Sequence, residues 1–135
     1  MISLVIFDTS VLVDQLRTNR FDRAFRVVRG LVRNSAVVLA ELWRGARHGR
    51  DRDFIWALQH NHPTLLPTEN NWIESGQILA KMSAQAGYQP AKLRDLHFDV
   101  LIALTARSHG ARLITSNKAD LELIREYKKV EIEFW

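Results

Sequence analysis

The chain has no cysteine, and only 3 prolines and 6 glycines among its 135 residues. The absence of cysteine excludes disulfide scaffolds and thiolate metal sites, so any metal ion would be bound by oxygen or imidazole. It is also compatible with a reducing compartment, and a cytoplasmic location is expected. With no internal repeat, low-complexity segment or linker, the sequence predicts a single domain over residues 1–135, long enough to bury most of its apolar surface.

The sequence also lacks an apolar run long enough to span a bilayer. Its apolar N-terminal segment has neither a basic n-region nor a small-residue cleavage site, so a soluble protein without a targeting signal is expected. Acidic residues are outnumbered, 15 against 19 basic ones, which gives a net charge of +4. This balance favours a polyanionic partner, with nucleic acid as the first candidate; the alternative is a basic surface that is merely solvated.

The most informative stretch is residues 2–14. Leu4–Phe7 is a short continuous apolar run, as expected for a strand buried on both faces of a parallel sheet. Asp8 follows it directly, at the carboxyl end of the strand, where open α/β sheets bind their ligands. Asp8 is therefore either a site residue or the N-cap of a helix that begins near Val11.

Strands and helices alternate along the rest of the chain, which predicts an α/β fold with a parallel sheet. Further strands are predicted at residues 35–38, 64–66, 111–115 and 130–135. Helices are predicted at 11–16, 21–32, 39–46, 51–59, about 69–86, from 97 to a close at Gly110, and 121–127. Residues 87–96, which include Lys92 and Arg94, are predicted to form a loop over the ligand crevice.

Two more carboxylates are predicted to reach the same edge of the sheet. Glu41 lies near a strand-to-helix junction, where its alternative role is a first-turn glutamate favoured by the helix dipole. Asp99 is predicted in the first turn of its helix, on the inward face with Ile102 and Ala106, and this favours a functional role. Asp95 is the competing helix cap.

Several basic groups have both a functional and a structural interpretation. The pair His60 and His62 could bind metal, but beside Pro63 it is more typical of a helix end. The other groups could contact phosphate or be solvated; they are an arginine stripe (Arg23, Arg26, Arg29, Arg33) and a basic patch (Arg44, Arg47, His48, Arg50, Arg52).

Polar residues also end the strand at 111–115, so Asp8, Glu41, Asp99 and one of Asn117 or Asp120 are expected to converge. Carboxylates brought this close repel each other unless they are protonated or bridged by a cation. Oxygen ligands of this kind suit Mg²⁺ or Mn²⁺. The chemistry indicated is hydrolysis of a phosphate ester.

Three motifs in succession resemble the PIN domain, and specifically the VapC-type toxin ribonucleases of bacterial and archaeal toxin–antitoxin pairs. They are D-T-S-V-L at 8–12, S-A-V-V-L-A-E-L-W-R-G-A at 35–46, and F-D-V-L-I-A-L-T-A-R-S-H-G-A-R-L-I-T-S-N-K-A-D-L at 98–121. The resemblance covers essentially the whole chain. It implies a three-layer α/β/α domain around a central parallel sheet.

The resemblance also implies roles for individual residues. Asp8, Glu41 and Asp99 match the family's metal-binding acids, Thr115 matches its strand-end threonine, and Thr9 and Ser10 match small polar residues that orient the first acid. Many members have aspartate where this chain has Asn117, whereas others place the acid three residues later, here Asp120. The fourth ligand and the number of metal ions, one or two, stay open.

By this resemblance, the chain is a Mg²⁺- or Mn²⁺-dependent endoribonuclease toxin whose products carry a 5′ phosphate. The family's members are usually homodimers, neutralised by a small VapB-like antitoxin that covers the active-site groove. Phe134, Trp135, Trp43 or Trp56 could contact the antitoxin, although burial in the core is the more ordinary expectation. A catalytically silent RNA- or protein-binding module is the main alternative. A phosphoaspartyl phosphatase is weaker, because Ser10 stands where its second aspartate belongs.

Overall fold

The computed structural model describes residues 2–135, in which short strands alternate with helices. The strands are β1 (Leu4–Phe7), β2 (Leu31–Ser35), β3 (Thr64–Leu65), β4 (Ala111–Thr115) and β5 (Ile132–Phe134). The helices are α1 (Thr9–Thr18), α2 (Asp22–Val27), α3 (Ala36–Gly45), α4 (Gly49–Asn61), α5 (Glu69–Ala86), α6 (Pro90–Ser108) and α7 (Lys118–Tyr127).

The strands form a parallel sheet in the order β3-β2-β1-β4-β5, with β1 at its centre. The chain moves outward from β1 to β3, returns to β4, and continues to β5 on the other side. Because such crossovers are right-handed, α1 to α4 lie on one face and α5 to α7 on the other. In agreement, α3 contacts α1 and α4, and α6 contacts α5 and α7; α3 and α6 also contact each other. The predicted α/β fold with a central parallel sheet is confirmed.

The core covers both faces of the central strands: α1, α3 and α4 contribute buried residues on one face, and the second half of α6 is the most deeply buried part of the other. Val5 and Ile6 of β1 are fully buried, as are Leu101 and Ile102 of α6. In α6 every residue from Val100 to Ala106 is buried, so that part of the helix has no solvent face. Among residues 2–135, no helix is long and apolar enough to cross a membrane.

The predicted helix at 21–32 and strand at 35–38 are wrong. Helix α2 ends at Val27, and Gly30 turns the chain with a φ of 119° before Leu31 pairs with Leu4 in β2. The helical spacing of apolar residues continues into β2 only by coincidence. Ser35 ends that strand and caps α3, its Oγ accepting from the amide of Val38 at 3.3 Å. The arginine stripe is therefore not one helical face.

The predicted loop at 87–96 is also wrong, because most of it forms the start of α6. Gly87 ends α5 in the left-handed conformation, and Pro90 occupies the first turn of the next helix, where its fixed φ is favourable. Asp95 is consequently inside α6 rather than at its cap, and Asp99 is in the third turn rather than the first.

Gly30 offers a test of the turn into β2. A Cβ at this position would lie 2.7 Å from the Ser3 carbonyl oxygen and 2.9 Å from Val5 Cγ2, and the positive φ strains any L side chain. Gly30→Ala should therefore lower the free energy of unfolding by about 1–3 kcal/mol. Gly45→Ala is the matched control, because no atom lies within 4 Å of its added Cβ. Equal urea midpoints for the two variants would contradict this account.

Candidate active site

Asp8 directly follows β1 at the point where the strand order reverses, and it is 2 % exposed. Its Oδ1 accepts from the amide of Thr9 at 2.8 Å, and its Oδ2 accepts from the hydroxyls of Thr115 at 2.7 Å and Ser10 at 3.1 Å. Burial raises the pKa of Asp8, and these three hydrogen bonds partly offset the shift. Asp8 thus caps α1 and also presents a buried carboxyl group at the sheet edge.

Glu41 lies in the second turn of α3, so its expected place at the junction and the helix-dipole explanation do not fit. Its Oε1 accepts from the Thr9 hydroxyl at 2.7 Å, and its Oε2 lies 3.8 Å from Nη2 of Arg44. Burial raises the pKa of Glu41, the Thr9 hydrogen bond lowers it, and the charge of Asp8 raises it again. Thr9 therefore links the two acids, with its amide on Asp8 and its hydroxyl on Glu41.

Asp99 is half-buried in the middle of α6 and accepts no hydrogen bond from residues 2–135. The pKa of Asp99 is raised to about 8, mainly by burial; the charges of Asp8, Glu41 and Asp120 contribute to this rise, whereas that of Lys92 opposes it. Three acids from other parts of the chain are thus close enough to act on Asp99. Its carboxyl group holds a proton at neutral pH unless another cation takes the proton's place.

The last two predicted residues form a local pair at the start of α7. Asn117 caps this helix, with its Oδ1 accepting from the amide of Asp120 at 3.4 Å and its Nδ2 donating to Asp120 Oδ2 at 3.2 Å. Asp120 Oδ1 accepts from Nζ of Lys92 at 3.1 Å. Asn117 therefore serves Asp120, while Asp120 also acts electrostatically on Asp8 and Asp99.

Lys92 is the site residue to which sequence reasoning gave no role. A predicted loop concealed its relation to Asp99, which lies seven residues later in α6. Seven residues are two helical turns, so the two side chains share a face. The signal was the proline at the start of this segment, since Pro90 marks a helix start as readily as a loop.

Among residues 2–135, no three His, Asp or Glu side chains meet in a geometry that would hold a metal ion. The donor set still fits a hard divalent cation, because it offers carboxylate oxygens and no sulfur. Asp8 and Asp99 form no ion pair within the described part of the chain, so their charges are uncompensated there.

His62 ends α4, as the structural interpretation predicted.

A small cavity of about 180 Å³ opens beside Glu41, lined also by Arg44, Arg94, Asp95 and Phe98. The Arg44 guanidinium lies 5.8 Å from the centre of the Phe98 ring, a cation–π distance. Two guanidinium groups thus lie beside Glu41, and guanidinium groups are suited to binding phosphate oxygens.

The aromatic residues considered for partner contacts divide into two groups. Phe134 and Trp135 are half-buried against the core, where Trp135 packs on Phe7, Phe21 and Phe25, so the expected burial is only partly met. Trp43 and Trp56 are 40 % and 59 % exposed, so core burial is wrong for them.

Thr115 is fully buried, and its hydroxyl donates to Asp8 while accepting from the amide of Asn117 at 3.0 Å. Thr115→Val keeps the shape but removes both hydrogen bonds, so the pKa of Asp8 should rise further. We expect a loss of about 10-fold in Mn²⁺ affinity, measured by calorimetry. Thr105→Val is the matched control, because that buried hydroxyl donates only to the Leu101 carbonyl in α6. Equal affinities in the two variants would exclude an orienting role for Thr115.

Several solved structures have a similar fold, and three of them illustrate it. DNA-bound VapBC from Salmonella typhimurium matches with a TM-score of 0.64 and 20 % identity, covering 100 % of this chain and 99 % of that chain. VapBC-1 from nontypeable Haemophilus influenzae matches with a TM-score of 0.72 and 18 % identity, covering 98 % of this chain and 98 % of that chain. VapBC-5 from Mycobacterium tuberculosis matches with a TM-score of 0.60 and 21 % identity, covering 98 % of this chain and 97 % of that chain. These likenesses show a shared fold.

A search of curated proteins finds no match. The scan against protein families finds one described as PIN domain, which matches residues 5–127 and so includes every acid of the site. The match extends over most of the chain and agrees with the sheet order and with the expected resemblance. The chain therefore belongs to the PIN domain family.

Proposed function

We propose that this protein is a divalent-metal-dependent endoribonuclease and the toxin of a toxin–antitoxin pair. The observation that carries the proposal is the meeting of acids from distant parts of the chain: Thr9 donates its amide to Asp8 and its hydroxyl to Glu41, and Asp99 lies close enough for both charges to raise its pKa. Such a concentration of negative charge is unfavourable for folding, and its function is the binding of a cation. Membership of the PIN domain family and the likeness to VapBC chains support this function.

Asp8, Glu41 and Asp99 would hold Mg²⁺ or Mn²⁺. When bound, such an ion lowers the pKa of a water molecule and offsets negative charge on a phosphodiester. The residues around it have complementary tasks: Thr9 orients Asp8 and Glu41 through two hydrogen bonds, and Thr115 orients Asp8. Arg44 and Arg94 would bind the RNA backbone beside the site, and the net charge of +4 adds affinity without sequence preference.

The partners follow from the same comparison. We propose a small VapB-like antitoxin as the neutralising partner, because the similar structures are named as VapBC complexes. A homodimer and a cytoplasmic location belong to the same proposal.

The test is a cleavage assay on total cellular RNA with the purified protein, free of antitoxin. Cleavage should require Mg²⁺ or Mn²⁺, stop with a chelator, and leave 5′ phosphates that a phosphate-dependent exonuclease recognises. A catalytically silent module would instead bind RNA to the same extent with and without metal and release no fragments. That outcome would reject the enzymatic function and leave the fold assignment intact.

A further inference from the structure

Asp120 differs from Asp8 and Asp99 in having a cation as a direct partner. Nζ of Lys92 lies 3.1 Å from Asp120 Oδ1, and Nδ2 of Asn117 donates to Oδ2 at 3.2 Å. Both oxygens of Asp120 therefore face N–H donors. The hydroxyl and amide partners of Asp8 are neutral, so they leave its negative charge uncompensated.

The position of Lys92 suits a role within the acid cluster rather than at the surface alone. It lies two turns before Asp99 on the same face of α6, and its charge is the one that lowers the pKa of Asp99. Asp120 in turn raises the pKa of Lys92, first through the hydrogen bond, so the ammonium stays protonated at neutral pH. A fixed positive charge is thus built into this side of the site.

A divalent ion bound to Asp120 would have to displace this ammonium or lie directly beside it. It would also have to displace Nδ2 of Asn117 from Asp120 Oδ2. The Asn117 side chain is held in place there, because its Oδ1 caps α7 by accepting from the backbone amide of Asp120. Asp99 presents neither obstacle, because no donor from residues 2–135 reaches it. Glu41 has a cation nearby as well, but the Arg44 guanidinium lies farther from it, at 3.8 Å, and is mostly exposed. Among the four acids, Asp120 is therefore the one with an ammonium at hydrogen-bond distance, and Asp8, Glu41 and Asp99 are more open to a metal ion.

We infer that Lys92 is a positioning residue that stands in place of a second divalent cation: its ammonium pairs with Asp120, so that Asp8, Glu41 and Asp99 hold a single ion. This inference rests on the proposed function and goes beyond it, since it sets the number of ions. It also makes Asp120 a neutralised neighbour of the metal site rather than a ligand.

The test counts Mn²⁺ ions per chain by the loss of the free-ion paramagnetic resonance signal. The wild type should bind one ion, and Asp120→Asn should still bind one. Lys92→Met frees Asp120 and should bind two, and the double variant Lys92→Met with Asp120→Asn should return to one. Lys128→Met is the matched control, because Nζ of Lys128 lies 2.7 Å from Glu74 Oε2 in an ion pair outside the acid cluster. This variant should bind one ion.

Two ions in the wild type and one in Asp120→Asn would overturn the inference, because Asp120 would then be a ligand. One ion in a folded Lys92→Met would overturn it too, since Asp120 would not have been withheld by the lysine. Circular dichroism checks the fold of each variant, and the wild type and Asp120→Asn can still overturn the inference even if Lys92→Met does not fold. The ions are counted in the absence of RNA. A failed cleavage assay would therefore contradict the proposed function without changing the measured number of ions.

Discussion

Replacing Asp99 with asparagine is expected to lower the rate of RNA cleavage by about 10³-fold or more. Asparagine keeps the size of the side chain but cannot carry the negative charge of Asp99, the acid whose pKa is raised by the charges of Asp8, Glu41 and Asp120. The metal ion would lose a charged ligand, while the burial around Val100 and Ile102 would be unchanged. Initial rates at saturating Mg²⁺, on a defined RNA oligonucleotide that the wild type cuts, measure the effect.

Asp95→Asn is the matched control for this variant. It makes the same chemical change one turn earlier in α6, at an exposed position next to Arg44 and Phe98. Its cleavage rate should stay within about 3-fold of the wild type, as expected for a surface carboxylate. If Asp99→Asn cleaved RNA as fast as this control, Asp99 would not be part of the catalytic machinery.

Raising the pH from about 4 to 8 should destabilise the metal-free protein by about 1–3 kcal/mol through Asp99. In the unfolded chain this carboxyl group titrates near 3.8, whereas in the folded protein its pKa is about 8. Between these values the unfolded state releases a proton that the folded state keeps. Stability is therefore full below pH 4, falls as the pH rises, and stays low above pH 8.

Urea unfolding in the presence of a chelator, at several pH values, measures this loss. Other acids titrate in the same range, so the informative quantity is the difference between the wild type and Asp99→Asn. The variant should be the more stable of the two at pH 8, and the difference should shrink towards pH 4. Saturating Mg²⁺ should raise the stability of the wild type but not that of the variant. If the stabilities of the two proteins changed in parallel with pH, the neighbouring charges and burial would not destabilise ionised Asp99.

The strand that carries Asp8 could be predicted from the sequence because its signal is local. Four apolar residues followed by an acid are hard to interpret in any other way, and the register of β1 agrees. The strand at β2 could not be placed correctly, because apolar residues at 21–32 satisfy a helical period that only the turn at Gly30 interrupts. The conformation of Gly30 sets the boundary between α2 and β2, and the spacing of apolar residues carries no information on it.

Asp99 lies in the site, but the first-turn position that the sequence predicts for it is wrong. The inward face was predicted correctly, but the helix begins two turns earlier, so the acid is not in a first turn at all. The partners of these acids depend on which strands are neighbours, and the linear sequence does not state this. The hydrogen bond between Thr115 and Asp8, which joins residues 107 positions apart, exists because β4 pairs with β1.

That pairing has a consequence for synthesis on the ribosome. β1 is made first, but its neighbour β4 and the inward acid of α6 come from the last third of the chain. A nascent polypeptide that ends before residue 115 carries Asp8 and Glu41 without the threonine that orients them, and long-range contacts of this kind form late. If the chain has the proposed nuclease function, its acid site cannot be completed, and so cannot cut RNA, before residue 115 has been made.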